Sequence, residues 1–571
     1  MIKNFRWYDI FTVLIIVGLI VTQVYFEMQL IKQMAEIIGK IRINASVAEV
    51  WETGKSMLLT SGIIMVTIIL GNAGAAFLST KFAQRLRSSV FKKVNGFSQE
   101  EINKFSTASL ITRSTNDITQ IQNTLRMALR MMIVAPTMAT FSIIEIVNSS
   151  VELSWATAIA VIGMFLLFGI LFFAVVPAFG KIQKKTDRLN AVSRENLTGL
   201  RVIRAYNTEE LQEKKFDEVN TDITKLHIYT GKVMSFMDPF MNLLFNGLSL
   251  AIYWLGASLI NDGALVYEQV VAFTQYGTHI LMSFMFLSMV IVMLPRGIVS
   301  AKRVNEILKT QSKIIEGNFD GQTEEKGKLE FKNVSFRYPD AEMNVLENIN
   351  FTVNKGETIA FIGSTGSGKS TLVNLIPRFF DATFGEVLID GVNVKEYTHK
   401  ALNAKLGFVP QKGILFSGTV EENVKYGAEH ISTEKVEECL KVAQAKFVEK
   451  LEGGLNYEIA QGGTNVSGGQ RQRLCIARAI AKDPEIYVFD DSFSALDYKT
   501  DKALRAALGK YTKDATKVIV AQRVGTILDA DKIVVLDDGK MVGMGTHKEL
   551  MKNCKVYREI ALSQLSKEEL E

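Results

Sequence analysis

The chain has 571 residues, enough for several domains, and 48% hydrophobic residues sit beside 22% charged ones. Net charge is only +5 and no basic patch is interleaved with aromatics, which excludes nucleic acid as a partner. The three cysteines, Cys439, Cys475 and Cys554, lack metal-ligand spacing and read as small buried apolar residues kept as free thiols in a reducing compartment.

The apolar content is unevenly placed. Runs of about 20 residues or more, enough to cross ~30 Å of hydrocarbon, fall near 9–31, 56–80, 129–148, 153–178, 236–260 and 269–294. The first starts near Ile10 and lacks a small-residue cleavage site, so it reads as a span and not as a removable leader. Residues 81–130 carry nine Lys or Arg and residues 181–232 carry eleven, whereas 149–152 and 261–268 carry none. By the positive-inside rule both long loops and both termini face the cytoplasm, with Trp7 and Tyr8 as interfacial anchors. The 32–55 loop holds Lys32, Lys40, Arg42 and Lys55 against Glu36, Glu49 and Glu52, a mild exception. Apolar residues at three- and four-residue spacing (Ile118, Ile121, Leu125; Leu197, Leu200, Ile203) predict that both long loops are helical hairpins continuing the spans, each with a turn at its tip. Pro136 and Pro239 are candidate kinks, the second close to the start of a span.

From Lys328 the texture changes to that of a soluble α/β domain. Leu329, Phe331, Val334, Phe336 and Tyr338 alternate as strand residues do. Thr358–Ile362 is a short apolar run, followed by Gly363-Ser364-Thr365-Gly366-Ser367-Gly368-Lys369-Ser370-Thr371. This is a phosphate-cradling loop between strand and helix: glycines let backbone N–H groups converge on phosphate, Lys369 reaches the β- and γ-phosphates of ATP, and the Ser370 hydroxyl takes Mg²⁺. Ile486–Phe489 reads as a buried parallel strand delivering Asp490 at its carboxyl end, placed to hold Mg²⁺ through its water shell. Between these elements, Ser467-Gly468-Gly469-Gln470 opens a predicted helix over Arg471–Ala481, a second anion-suited helix end. One ligand rarely needs two such ends, so this one is expected to cap the γ-phosphate held by another cassette in a head-to-tail dimer.

With these motifs the chain resembles an ATP-binding cassette (ABC) exporter half-transporter over nearly its whole length. The resemblance implies a membrane α-helical bundle over residues 1–310, a linker at 311–327 and an α/β P-loop cassette at 328–571. It further implies that Tyr338 stacks on adenine, that Gln411 touches Mg²⁺ and couples to the membrane, and that Asp497 in Ser494-Ala-Leu-Asp lies in a loop crossing the dimer seam. Leu110–Asp117 and Glu195–Tyr206 resemble the family's intracellular loops, which dock on the cassettes.

Two positions depart from the family. Asp491 stands where the catalytic Glu is usual, and Gln522 where a switch His is usual. A carboxylate one methylene shorter falls back by about 1.5 Å, and a misplacement of ~1 Å can cost ~100-fold. Gln522 can donate a hydrogen bond to a γ-phosphate oxygen but lacks imidazole's charge and tautomers. Val466 replaces a common Leu, and Gln461 and Gly462 stand where Glu and Arg are frequent. The expectation is a site that binds ATP and hydrolyses it poorly, beside a homologous half-transporter supplying its own Glu and His, as in bacterial heterodimeric multidrug exporters of the cell membrane. An ATP-gated regulator or channel, and a homodimeric lipid or peptide exporter, are the alternatives. For the cargo, the stripe Met282, Met285, Met289 suits varied apolar ligands and equally suits packing or lipid contact. Glu27 and Glu145 in or near spans suit a cation and equally suit snorkelling.

Overall fold

The computed structural model describes residues 5–339 and 341–564. The chain divides into two compact units, the first comprising Met1–Asn95 with Phe105–Thr310 and the second Gly96–Lys104 with Gln311–Glu571.

Helices α1 (Trp7–Arg42), α2 (Val47–Asn95), α3 (Gln99–Phe105), α4 (Thr107–Ser114), α5 (Asn116–Ser149), α6 (Val151–Tyr206), α7 (Glu209–Ser235), α8 (Met237–Asn261) and α9 (Tyr267–Lys309) fill residues 7–309. Among the described residues six helical stretches are long and apolar enough to cross a membrane. α6 has 56 residues, about 84 Å at 1.5 Å per residue, far beyond what hydrocarbon requires. The Lys/Arg-rich segments are thus helical extensions, broken at one tip by α3 and α4 and at the other by Asn207, left-handed at φ 52°. The 32–55 segment differs from the sequence expectation. α1 and α2 continue through it, leaving a short turn, because polar side chains bridge the two helices: Lys40 pairs with Glu36 at 2.7 Å and donates to Thr53 Oγ1 at 2.6 Å. Pro239 lies in the first turn of α8, where no donor is required, whereas Pro136 lies inside α5. One apolar core joins Ile16, Ile20 and Val24 of α1 to Ala75 and Leu78 of α2 and to Leu129, Val134 and Met138 of α5. Outward residues such as Trp254, Leu250 and Ile170 stay exposed, as lipid-facing side chains do.

The second unit contains β1 (Leu329–Phe336), β2 (Leu346–Val353), β3 (Thr358–Gly363), α10 (Lys369–Leu375), β4 (Phe384–Ile389), β5 (Val392–Asn393), α11 (His399–Lys405), β6 (Leu406–Val409), β7 (Gly418–Thr419), α12 (Val420–Lys425) and α13 (Thr433–Val442). It continues with β8 (Glu458–Ile459), α14 (Gly468–Ala481), β9 (Ile486–Asp490), α15 (Tyr498–Tyr511), β10 (Thr516–Val520), β11 (Lys532–Asp537), β12 (Lys540–Gly545), α16 (His547–Asn553) and α17 (Lys555–Gln564). A four-stranded sheet runs β2-β1-β4-β5, and a six-stranded sheet runs β12-β11-β3-β10-β9-β6. In the larger sheet only β12 is antiparallel. Its strands are apolar on both faces because both are covered: Ile359 and Phe361 enter one core, Ala360 and Ile362 the other. The 311–327 segment is pinned to this unit. Phe319 stacks edge-on against Tyr397 at 5.0 Å and exchanges backbone hydrogen bonds with Glu396 and Thr398.

Candidate functional site

Register assembles the site. Val520 pairs with Phe361 of β3 on one side and with Asp490 of β9 on the other. Parallel neighbours end together, so the glycine loop after β3, the Asp490–Asp491 pair after β9 and Gln522 after β10 meet at one sheet edge. Open α/β sheets bind ligands at that edge.

The loop wraps the Lys369 ammonium, which donates to the carbonyl oxygens of Gly363 at 2.9 Å and Ser364 at 2.7 Å and lies 3.3 Å from Ser367 Oγ. Gly366 and Gly368 take φ of 88° and 94°, a region that side-chain-bearing residues avoid. At Gly366 a Cβ would meet nothing within 4 Å, so the loop opens outward there, whereas at Gly368 it would lie 2.8 Å from Leu346. The Ser370 hydroxyl donates to Asp490 Oδ1 at 2.9 Å. Tyr338 packs edge-on against Phe336 and Phe380, and its hydroxyl lies 3.1 Å from Thr371 Oγ1.

Asp491 stands apart. Its backbone is left-handed at φ 47°. Its Oδ2 accepts from Gln522 Nε2 at 2.7 Å and from Gln411 Nε2 at 3.3 Å. The two departures from the family pattern are therefore hydrogen-bonded to each other, a contact across 31 residues of sequence that no local motif announces.

Burial pushes the Lys369 ammonium below its ordinary range, opposed by the Asp491 and Asp490 charges. Burial likewise raises the Asp490 carboxyl, helped by neighbouring Asp491 and opposed by the Ser370 hydrogen bond. Asp491 is raised by burial against its bonds to Gln411 and Ser494. A carboxyl whose folded pKa lies above its unfolded value favours folding at low pH, and that benefit is lost as pH rises through the folded pKa. At neutral pH ionised Asp490 is thus a cost to the fold. Asp490→Asn is expected to raise the thermal midpoint without nucleotide by the equivalent of about 0.5–2 kcal/mol and to remove the further rise that Mg·ATP gives, both read in one thermal-shift series.

These groups fit a magnesium nucleoside triphosphate. A buried ammonium resting on neutral carbonyls, in a loop with an open left-handed glycine, suits phosphate oxygens. The Ser370 hydroxyl and Asp490 carboxylate are hard oxygen donors of the kind Mg²⁺ takes, with Gln411 3.3 Å from the adjoining Asp491.

At the start of α14 Ser467 and Gly468 are exposed and Gly469 and Gln470 are half-buried. Ser467 Oγ accepts from Gln470 N at 3.3 Å and Gln470 Oε1 accepts from Ser467 N at 2.8 Å. This capping box is legible in the sequence as Ser-x-x-Gln. Gly468 is open on its side-chain face, and a Cβ on Gly469 would sit 3.1 Å from Ala495 O. Asp497 caps α15, accepting from Thr500 N at 2.9 Å, and its hydrogen bonds to the Thr500 side chain and then to the Thr500 backbone hold its carboxyl below the usual range.

In the first unit a cavity of about 710 Å³ is lined by Glu27 and Met282 together with Gln23, Arg130, Gln275 and His279. Met285 instead packs into a neighbouring helix core and Met289 is 51% exposed. Glu145 does not line this cavity: it pairs with Lys32 at 2.7 Å. Arg130, Gln275 and His279 were not singled out from sequence. A histidine inside an apolar run was the available signal.

Residues 10–294 match the model of the ABC transporter transmembrane region, and residues 346–494 match that of the ABC transporter. The uncharacterized ABC transporter ATP-binding protein MT1311 of Mycobacterium tuberculosis (strain CDC 1551 / Oshkosh) is 38% identical over 93% of this chain and 92% of that protein. The chain belongs to the ABC transporter family. Among its relatives, the ATP-dependent lipid A-core flippase of Mannheimia succiniciproducens is 29% identical over 87% of this chain and 85% of that protein. In fold the transporter resembles a bacterial Atm1-family ABC exporter solved with ATP bound, at TM-score 0.77 and 22% identity, covering 98% of each chain. A transmembrane region and a cassette in one chain make this ABC protein an exporter-type half-transporter, and its family implies ATP binding coupled to transport.

Proposed function

We propose that this ABC protein is the degenerate-site half of a heterodimeric exporter in the cell membrane, with its cassette and both termini cytoplasmic. Its own site, built on Lys369, Ser370, Gln411 and Asp490, holds Mg·ATP and turns it over slowly. Its Ser467–Gln470 helix end completes the competent site of a homologous partner that carries Glu and His.

The observation that carries this reading is the double hydrogen bond on Asp491 Oδ2. A group that orients attacking water needs a free, correctly reaching acceptor. Here the carboxylate is short, and two amides occupy one of its oxygens. The signature helix end, by contrast, is intact, capped and exposed. The cargo is assigned to amphiphiles, lipids or hydrophobic cations, because the cavity sets Glu27, Arg130 and His279 among Met34, Met57, Met131, Met138 and Met282, and because a relative is a lipid A-core flippase. The test is ATPase activity of the purified chain alone and co-purified with the candidate half-transporter. Near-background turnover alone and brisk turnover in the pair are expected; brisk turnover by the chain alone overturns the asymmetric reading.

A further inference from the structure

A second polar cavity, of about 640 Å³, lies between the start of α1 and the stretch of α2 around residues 77–92. Four cations line it, Arg6, Lys81, Arg85 and Lys92, against one carboxylate among the described residues, Asp9. That carboxylate is 2% exposed and fully engaged. Its Oδ2 accepts from Arg85 Nη2 and from Arg6 N, each at 2.8 Å, and its Oδ1 accepts from Arg85 Nη2 at 3.0 Å. It therefore neutralises Arg85 alone, and Arg85 Nη1 remains buried without a hydrogen-bond partner. Two of the other three are held by neutral groups: Arg6 donates to Tyr8 Oη at 2.7 Å, and Lys81 to Gln84 Oε1 at 3.3 Å. The surplus of positive charge has a definite level. Lys81 is the first charge after the apolar run of α2; Phe77 in the cavity lining is 62% exposed, and Trp7 and Phe11, next in sequence to the lining residues Arg6, Tyr8 and Thr12, are 81% and 62% exposed.

We propose that this cavity binds the headgroup of an anionic phospholipid. The cations and the unmet Arg85 donor recognise its phosphate, and the exposed aromatics contact its acyl chains. A free phosphate ion would use the cations but gain nothing from the aromatics. A zwitterionic lipid would bring its own cation into a pocket that already has a surplus. Basic pockets between helices at headgroup level recognise anionic lipids in this way, at about 1 kcal/mol per Lys or Arg, or about fivefold each.

The test is equilibrium binding of fluorescent phosphatidylglycerol to the purified full-length chain in detergent, with unlabelled competitors. Unlabelled phosphatidylglycerol should displace the probe and phosphatidylcholine should not. The double variant Lys81→Gln/Lys92→Gln should weaken binding about 25-fold, Lys81→Arg/Lys92→Arg should keep it, and Lys214→Gln/Lys225→Gln on α7 should leave it unchanged. Should the double Gln variant not fold, Arg6→Gln gives the same reading at about fivefold. Displacement by phosphatidylcholine at equal concentration, wild-type affinity in the folded Gln variants, or displacement by inorganic phosphate alone would each overturn the proposal, the last by making it a soluble-anion site.

Discussion

A carboxylate introduced by Gly468→Asp should leave the chain folded and stop the pair. Gly468 is the first residue of α14, and a Cβ there meets nothing within 4 Å. An acid in the first turn favours the helix dipole by about 0.3–1 kcal/mol, so the thermal midpoint should hold or rise slightly. The same charge, however, would sit where the partner's γ-phosphate is proposed to be capped. It would replace a donor with a repelling group, and the loss of one preorganised donor already costs about 10²–10³ in rate. ATPase of the pair should fall by at least that factor, with Gly468→Ala nearly silent as the steric control. Wild-type turnover by the Gly468→Asp pair would place this helix end away from any nucleotide.

The reciprocal experiment rebuilds the site. Asp491→Glu with Gln522→His should raise ATPase of the chain assembled with itself by about 100-fold, the cost assigned to a displacement of about 1 Å. Each change alone should recover less. Gln522→His removes the 2.7 Å amide bond but leaves the carboxylate short; Asp491→Glu restores reach but leaves the amides in place. The left-handed backbone at 491, where Asp is among the better tolerated residues, should make the Glu variant slightly less stable. Thermal shift separates that effect from the gain in rate. Unchanged turnover in the double variant would mean that something other than these two side chains limits hydrolysis.

Residues with strong local signals were legible in the sequence. The run Ile486–Asp490 had to be a buried strand because nothing polar interrupts it, and the loop at 363–371 had to be a turn into a helix because its glycines and Lys-Ser-Thr permit little else. The reach of the membrane helices followed from apolar spacing continuing through charged segments. What stayed hidden depends on which elements become neighbours. Gln522 meets Asp491 only because β10 lies between β3 and β9, and strand order is not written in any one strand. Arg130 and His279 share a cavity with Glu27 only through packing of α1, α5 and α9, whereas Glu145 pairs with Lys32 of α1. The resemblance gives 311–327 as a linker, and Phe319 against Tyr397 fixes that segment on the cassette unit.

The uninterrupted length of α6 has a mechanical corollary. A rod of about 84 Å converts a tilt of about 5° at one end into a sweep of about 7 Å at the other, comparable to the width of a side chain. Bending would dissipate that stroke, and the natural place for bending is Pro177, which withholds one backbone donor from the helix. Filling that position with Ala would stiffen the lever, and the transporter's stroke would then register how much give the joint normally supplies.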